Sequence, residues 1–213
     1  DAGGRIKPVQ TLASEVLRKV ARKEQFNDMS ANQVLLSMMY NPGYWQEQPL
    51  IKVKHPKKKK KLNAVDGYAA FKNFFDKEFS YIIAKDADEA NRKKPAERTK
   101  YDKEVIAVDE RANICFMVFQ GAMLRVFPKA GDENNTWFTS MDYQQFKSHD
   151  SVFVKSIIPY YFSAINESFT NENWALADSI LNHVVEYQQK FGAAVIPAQS
   201  VIDAEITYNK INI

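Results

Sequence analysis

The sequence predicts a mainly α fold: a single multi-helical domain of about seven helices with a long lysine-rich loop. Three observations carry that prediction. Apolar residues recur at spacings of three and four along several stretches, as one face of a helix requires. Alternation of apolar and polar residues, the mark of a half-buried strand, is nowhere convincing. The breaks between stretches hold proline, glycine or runs of charge. At 213 residues, with 45 % hydrophobic and 13 % aromatic residues, the chain can bury a sizeable core.

The first helix follows Pro8, whose missing N–H suits a first turn. Val9, Leu12, Ala13, Val16, Leu17 and Val20 then form one apolar stripe, and Arg18, Lys19, Arg22 and Lys23 crowd the end that favours cations. The second helix starts at Ser30, with Gln33 completing a capping box, and continues through Val34, Leu35, Met38 and Met39 to Asn41-Pro42-Gly43. Leu50, Ile51 and Val53 fit a short extended segment, and the lysine run after it reads as loop. Asp66 is expected to cap a helix through residues 67–85, with Tyr68, Phe71, Phe74, Phe75 and Phe79 on its buried face.

After the hydrophilic stretch 90–103, Pro95 is expected to open a long helix. Tyr101, Val105, Val108, Ala112, Cys115, Phe119 and Ala122 line one side of it, and Phe127-Pro128 is expected to stop it. Residues 129–138 read as a polar turn. Two more helices are predicted, over about 150–169 and about 172–191, the second with Gly192 in a C-cap role. Pro197 starts a last one. The chain opens without a methionine and its last helix carries no stop signal, so residues 1–213 are expected to be one soluble extracytoplasmic domain excised from a larger, membrane-anchored protein.

The net charge of +3 is local in origin. Without Lys57, Lys58, Lys59, Lys60 and Lys61 the rest of the chain carries −2, so no broad basic face argues for nucleic acid. These five lysines read either as a solvated loop or as a contact for an anionic surface. No apolar run reaches the roughly 18 residues of a membrane helix. Cys115 is the one cysteine, so no internal disulfide can form, and its place on an apolar stripe reads as a buried thiol.

Catalytic signatures are absent from the sequence. His55, His149 and His183 form no metal-ligand spacing, and there is no glycine-rich phosphate loop or nucleophile elbow. No catalytic residue and no metal ligand is therefore expected here. The charged trio Asp109, Glu110 and Arg111 interrupts an apolar helix. It reads as a solvated face or as a buried ion-pair node reaching Arg5 or Lys7, because a buried arginine needs a carboxylate.

The segment "GRIKPVQTLASEVLRKV" resembles the stretch after the early membrane helices of the fused ResB/CcsA-type cytochrome c biogenesis proteins of Bacteroides-like and epsilonproteobacterial lineages. Three further segments are similar to that family in the same order: "NQVLLSMMYNPGYWQEQPLIKV", "DKEVIAVDERANICFMVFQGAMLRVFP" and "AEITYNKIN". The positions that match its motifs are Gly4, Arg5, Lys7, Pro8, Thr11, Asp109, Glu110, Arg111 and Asn113, an interaction or structural node. The resemblance implies a periplasmic domain of a membrane protein that supports delivery of haem and its covalent attachment to apocytochrome c. The partners implied are apocytochrome c and the membrane part of the same protein.

Haem is implied for that larger protein and none for this domain, because Trp45, Trp137 and Trp174 stand alone and form no tryptophan-rich haem loop. The alternative is a free-standing α-helical module whose polybasic loop binds an anionic surface or a partner protein.

Overall fold

A computed structural model describes residues 5–211. Seven of its α-helices run nine residues or more, in agreement with the mainly α expectation. The chain divides into two compact units. One joins the residues up to Thr11 to those from Gly121 on; the other is Leu12–Gln120.

The contiguous unit holds most of α1 (Val9–Ala21), which begins directly after Pro8. A hairpin of β1 (Gln25–Phe26) and β2 (Met29–Ser30) turns through Asn27 and Asp28, both at positive φ as a tight two-residue turn requires. The Ser30–Gln33 capping box then opens α2 (Ala31–Tyr40) as expected. Asn41 ends α2 and at once caps α3 (Pro42–Glu47), a short helix that the periodicity does not reveal. The expected extended segment is β3 (Pro49–Lys52), antiparallel to β4 (Tyr68–Ala70).

Three expectations fail in this unit. The lysine run is helical: α4 (Pro56–Lys61) has Pro56 in its first turn, and the His55 ring nitrogen accepts from the Lys57 N–H. The helix expected over 67–85 is instead β4, a tight 3-10 turn (Phe71–Phe74) and an irregular stretch before α5 (Ala84–Arg92). Asp66 and Gly67 explain why. Both take positive φ, and the Tyr68 N–H donates to the Val65 carbonyl at 2.8 Å. Asp-Gly here makes a hairpin turn, not a helix cap. Finally, Pro95 opens only a 3-10 turn (Pro95–Glu97). The long helix α6 (Lys100–Phe119) starts from its own Thr99–Asp102 capping box.

The core of this unit closes around Leu17, Leu35, Met38, Trp45, Ile51, Leu62, Phe74 and Ile83, all buried. Each such side chain contributes roughly 1.5–3 kcal/mol by leaving water. Trp45 satisfies its indole N–H on the Ser37 hydroxyl at 2.8 Å. Val105, Val108, Ala112, Cys115 and Phe119 form the buried stripe of α6 as predicted.

In the other unit, Phe127-Pro128 does not end a helix; α6 stops at Phe119. It forms β5 (Phe127–Pro128), paired with β6 (Trp137–Phe138). Next come α7 (Ser148–Asn171), α8 (Ala175–Gly192) and α9 (Gln199–Ile211). An aromatic layer joins hairpin to helices: Phe153 stacks on Tyr187 at 4.8 Å, and Phe127 meets Tyr187 edge-on at 6.3 Å. Gly192 is the last residue of α8, not a left-handed cap. A Cβ there would lie 2.6 Å from the Trp137 ring, so glycine is required by close packing.

Candidate functional site

The motif residues fall into two clusters, one in each unit, and Gly4 lies outside the described residues. In the discontinuous unit, the Arg5 guanidinium grips the Glu205 carboxylate with two bonds, 2.7 and 3.1 Å. Thr11, buried at the start of α1, donates its hydroxyl to the same carboxylate at 2.8 Å. The Asn209 amide donates to that hydroxyl, also at 2.8 Å. Glu205 and Asn209 stand one turn apart on one face of α9. The Arg5 bond, opposed by partial burial, holds the Glu205 carboxyl below the usual range, with Thr11 and the nearby charge of Lys7 adding to it. Pro8 sets the entry into α1 between these partners.

In the contiguous unit, Arg111 is buried on α6. Its Nη1 donates to the Lys52 carbonyl of β3 at 2.7 Å, and its Nε donates to the Lys19 carbonyl of α1 at 3.2 Å. Glu104, two turns earlier on α6, is its carboxylate partner at 3.9 Å. The Glu104 carboxylate also accepts from the Lys54 N–H at 2.5 Å. Burial pulls the Arg111 pKa down, and the charge of Glu104 opposes that.

Asp109 accepts from the Tyr81 hydroxyl at 2.8 Å, and burial followed by this bond pushes the phenol upward. The Asn113 amide donates to Asp109 at 3.4 Å. Glu110 points to solvent and pairs with Lys19 at 2.7 Å. Glu110 makes a surface pair and Arg111 a buried node, but the expected link from this trio to Arg5 is not made: Arg5 pairs with Glu205 instead. The node ties α6 to α1 and β3, and its carboxylate is Glu104.

The lysine run also divides. Lys58 is fully buried and bonds to Asp86 on α5, while Lys61 reaches the same carboxylate at 2.8 Å. The Lys58 ammonium also lies 5.0 Å from the Tyr101 ring centre. Burial opposes ionisation of Asp86, but hydrogen bonds from Lys58 and Lys61 outweigh it and hold the carboxyl at about 2. Lys57, Lys59 and Lys60 are exposed.

Sequence reasoning missed Glu205, Asn209, Glu104, Tyr81 and Asp86. Only the pair on α9 had a local signal, two polar residues four apart on one face. Asp86 is 28 residues from Lys58, beyond any local pattern.

A cleft of about 410 Å³ is lined by Gln46, Phe71, Lys72, Phe75, Asp76 and Phe79, none of them an iron ligand of the imidazole, thiolate or thioether kind. The His183 ring engages the Ser179 carbonyl at 2.7 Å, and His55 packs edge-on against Tyr101. Burial pushes the Cys115 thiol up to about 12. Among the described residues no group of three His, Cys, Asp or Glu is placed to hold a metal ion. No helix among them is long and apolar enough to cross a membrane.

No family model matches the chain. Protein NrfI of Wolinella succinogenes is 33 % identical to it over 221 residues, and the match takes in 99 % of this chain. The chain spans only 23 % of that relative's length. From one end to the other it is therefore similar to a part of a much longer protein.

Proposed function

We propose that this chain is the periplasmic scaffold and interaction domain of a membrane-anchored cytochrome c biogenesis protein of the ResB/CcsA type. In that role it supports delivery of haem and its covalent attachment to apocytochrome c. The observation that carries the reading is the similarity to Protein NrfI along 99 % of the chain, which favours a cytochrome c biogenesis-related role. The Arg5–Glu205 and Thr11–Asn209 contacts add support. They lay the first described segment beside α9, as suits a domain whose two ends meet one membrane surface.

This chain supplies no haem ligand and no catalytic group in that role. Arg5, Thr11, Asp109 and Arg111 act by holding its helices in register. Haem belongs to the membrane part of the longer protein, and apocytochrome c is the partner presented to it.

The test uses the full-length protein in its own host. Residues 1–213 are deleted, and separately Arg5→Ala and Asp109→Ala are made, with membranes stained for covalently bound haem. The expected result is loss of c-type haem on deletion, while the remaining protein still accumulates. Undiminished haem attachment after deletion overturns the proposal.

A further inference from the structure

Two lysines are held close together with no carboxylate of the protein's own, and a third lies against the neighbouring tyrosine ring. Gly67 takes a positive φ in the Asp66-Gly67 turn and has no side chain. The Lys52 and Lys59 ammonium nitrogens lie 3.3 and 3.6 Å from the point a Cβ would occupy there. They are therefore at most 6.9 Å from each other. The Lys52 nitrogen is also 4.0 Å from the centre of the Tyr68 ring, and Lys23 approaches the same ring at 4.7 Å.

Other lysines of this unit have carboxylates: Lys58 and Lys61 have Asp86, and Lys19 has Glu110. Among the described residues none lies within ion-pair distance of Lys23, Lys52 or Lys59.

Like charges repel, so two ammonium groups converging on one turn, with a third against the adjoining Tyr68 ring, call for an external anion. Charge-assisted N–H···O bonds run at about 2.8 Å, and phosphate oxygens sit roughly 2.5 Å apart, so one phosphate bridges two nitrogens up to about 8 Å apart. The Lys52–Lys59 separation falls within that reach. Three cations match a dianionic phosphate better than a singly charged carboxylate. The Tyr68 ring attracts the Lys52 and Lys23 ammoniums and keeps them in place.

We infer that Lys52 and Lys59, with Lys23, form a binding site for a phosphate group over Gly67. The site is distinct from the lysine run as a whole. Lys58 and Lys61 are committed to Asp86, and the ammoniums nearest the Gly67 turn are those of Lys52 and Lys59. It stands independently of the cytochrome c reading.

The whole chain is titrated with inorganic phosphate while its backbone amides are followed by NMR. In a second arm it is mixed with phosphatidylglycerol–phosphatidylcholine vesicles and with phosphatidylcholine vesicles alone. A saturable shift centred on Gly67 and Tyr68 is expected in the first arm if the phosphate is a soluble one. Recruitment to the anionic vesicles with the first arm silent assigns it to a lipid headgroup. Either result must fall roughly tenfold in the Lys52→Gln/Lys59→Gln variant and less than about twofold in Lys57→Gln/Lys60→Gln, which removes equal charge. Equal loss in both variants overturns the site in favour of diffuse attraction. Silence in both arms overturns it outright, as does a phosphate shift in the wild-type chain centred elsewhere. Neither of these last two outcomes depends on a variant folding.

Discussion

The Arg111 Nη1 donates to the Lys52 carbonyl at 2.7 Å, fastening the middle of α6 to β3. With the Lys19 carbonyl and Glu104, this gives a buried guanidinium three separate restraints. Arg111→Ala leaves two carbonyls and a carboxylate short of a partner and is expected to cost about 3 kcal/mol. Arg111→Lys recovers part of that, since one ammonium lacks the planar fork that serves separate acceptors. Glu110→Ala, which removes only an exposed pair with Lys19, costs less than about 1 kcal/mol. Denaturant unfolding of the three variants checks the order.

The Lys58–Asp86 pair makes stability pH-dependent. Asp86 titrates at about 2 in the folded chain against an ordinary 3.8. Its folded pKa is depressed, so the stabilisation is complete above about pH 4 and is lost as pH falls towards about 2. The loss is at most about 2 kcal/mol and shrinks in high salt. Asp86→Asn removes that acid slope. Lys58→Ala is expected to cost about 2 kcal/mol or more, and Lys57→Ala almost nothing. Stability curves at several pH values separate these cases.

Gly192→Ala forces a methyl against the Trp137 ring and within 3.2 Å of Pro128. Overpacking of that kind costs about 1–3 kcal/mol. Gly43→Ala is the contrast: its Cβ meets only the Asn41 side-chain oxygen, at an ordinary 3.8 Å, and the helix gains propensity. Melting temperature is expected to drop in the first variant and hold or rise in the second. Trp137 emission should shift only in the first.

Cys115 lies buried on the inner stripe of α6, and its thiol is pushed up to about 12. A thiol-reactive dye at mildly alkaline pH is expected to leave the folded chain unlabelled and to label it fully in denaturant. Rapid labelling of the native protein would contradict the packing of α6.

What was legible in the sequence was what a few neighbouring residues decide. The α1 stripe, the Ser30–Gln33 box and the extended run at Leu50 and Ile51 are local patterns, and all three hold. Residues 67–85 show how such a pattern misleads. Their aromatics recur at helical spacing, yet the Asp66-Gly67 turn folds the chain back as a hairpin. The lysine run misled in another way, because charge alone does not distinguish loop from helix. Pro56 and the His55 cap were the signals for α4. The need for a carboxylate beside Arg111 was legible, but not its carbonyl partners, which lie 59 and 92 residues away. Arg5 and Glu205, 200 residues apart, were out of reach for the same reason.

The division of the chain also sets an order on its making. Leu12–Gln120 is continuous, so every residue of that unit is joined to the growing chain before α7 is synthesised. The other unit cannot be finished until Glu205 arrives to meet Arg5. At about 5–20 residues per second, that leaves on the order of ten seconds between the two events. During the interval Arg5 and Thr11 wait without their α9 partners, and the nascent chain is open at the place where it later closes.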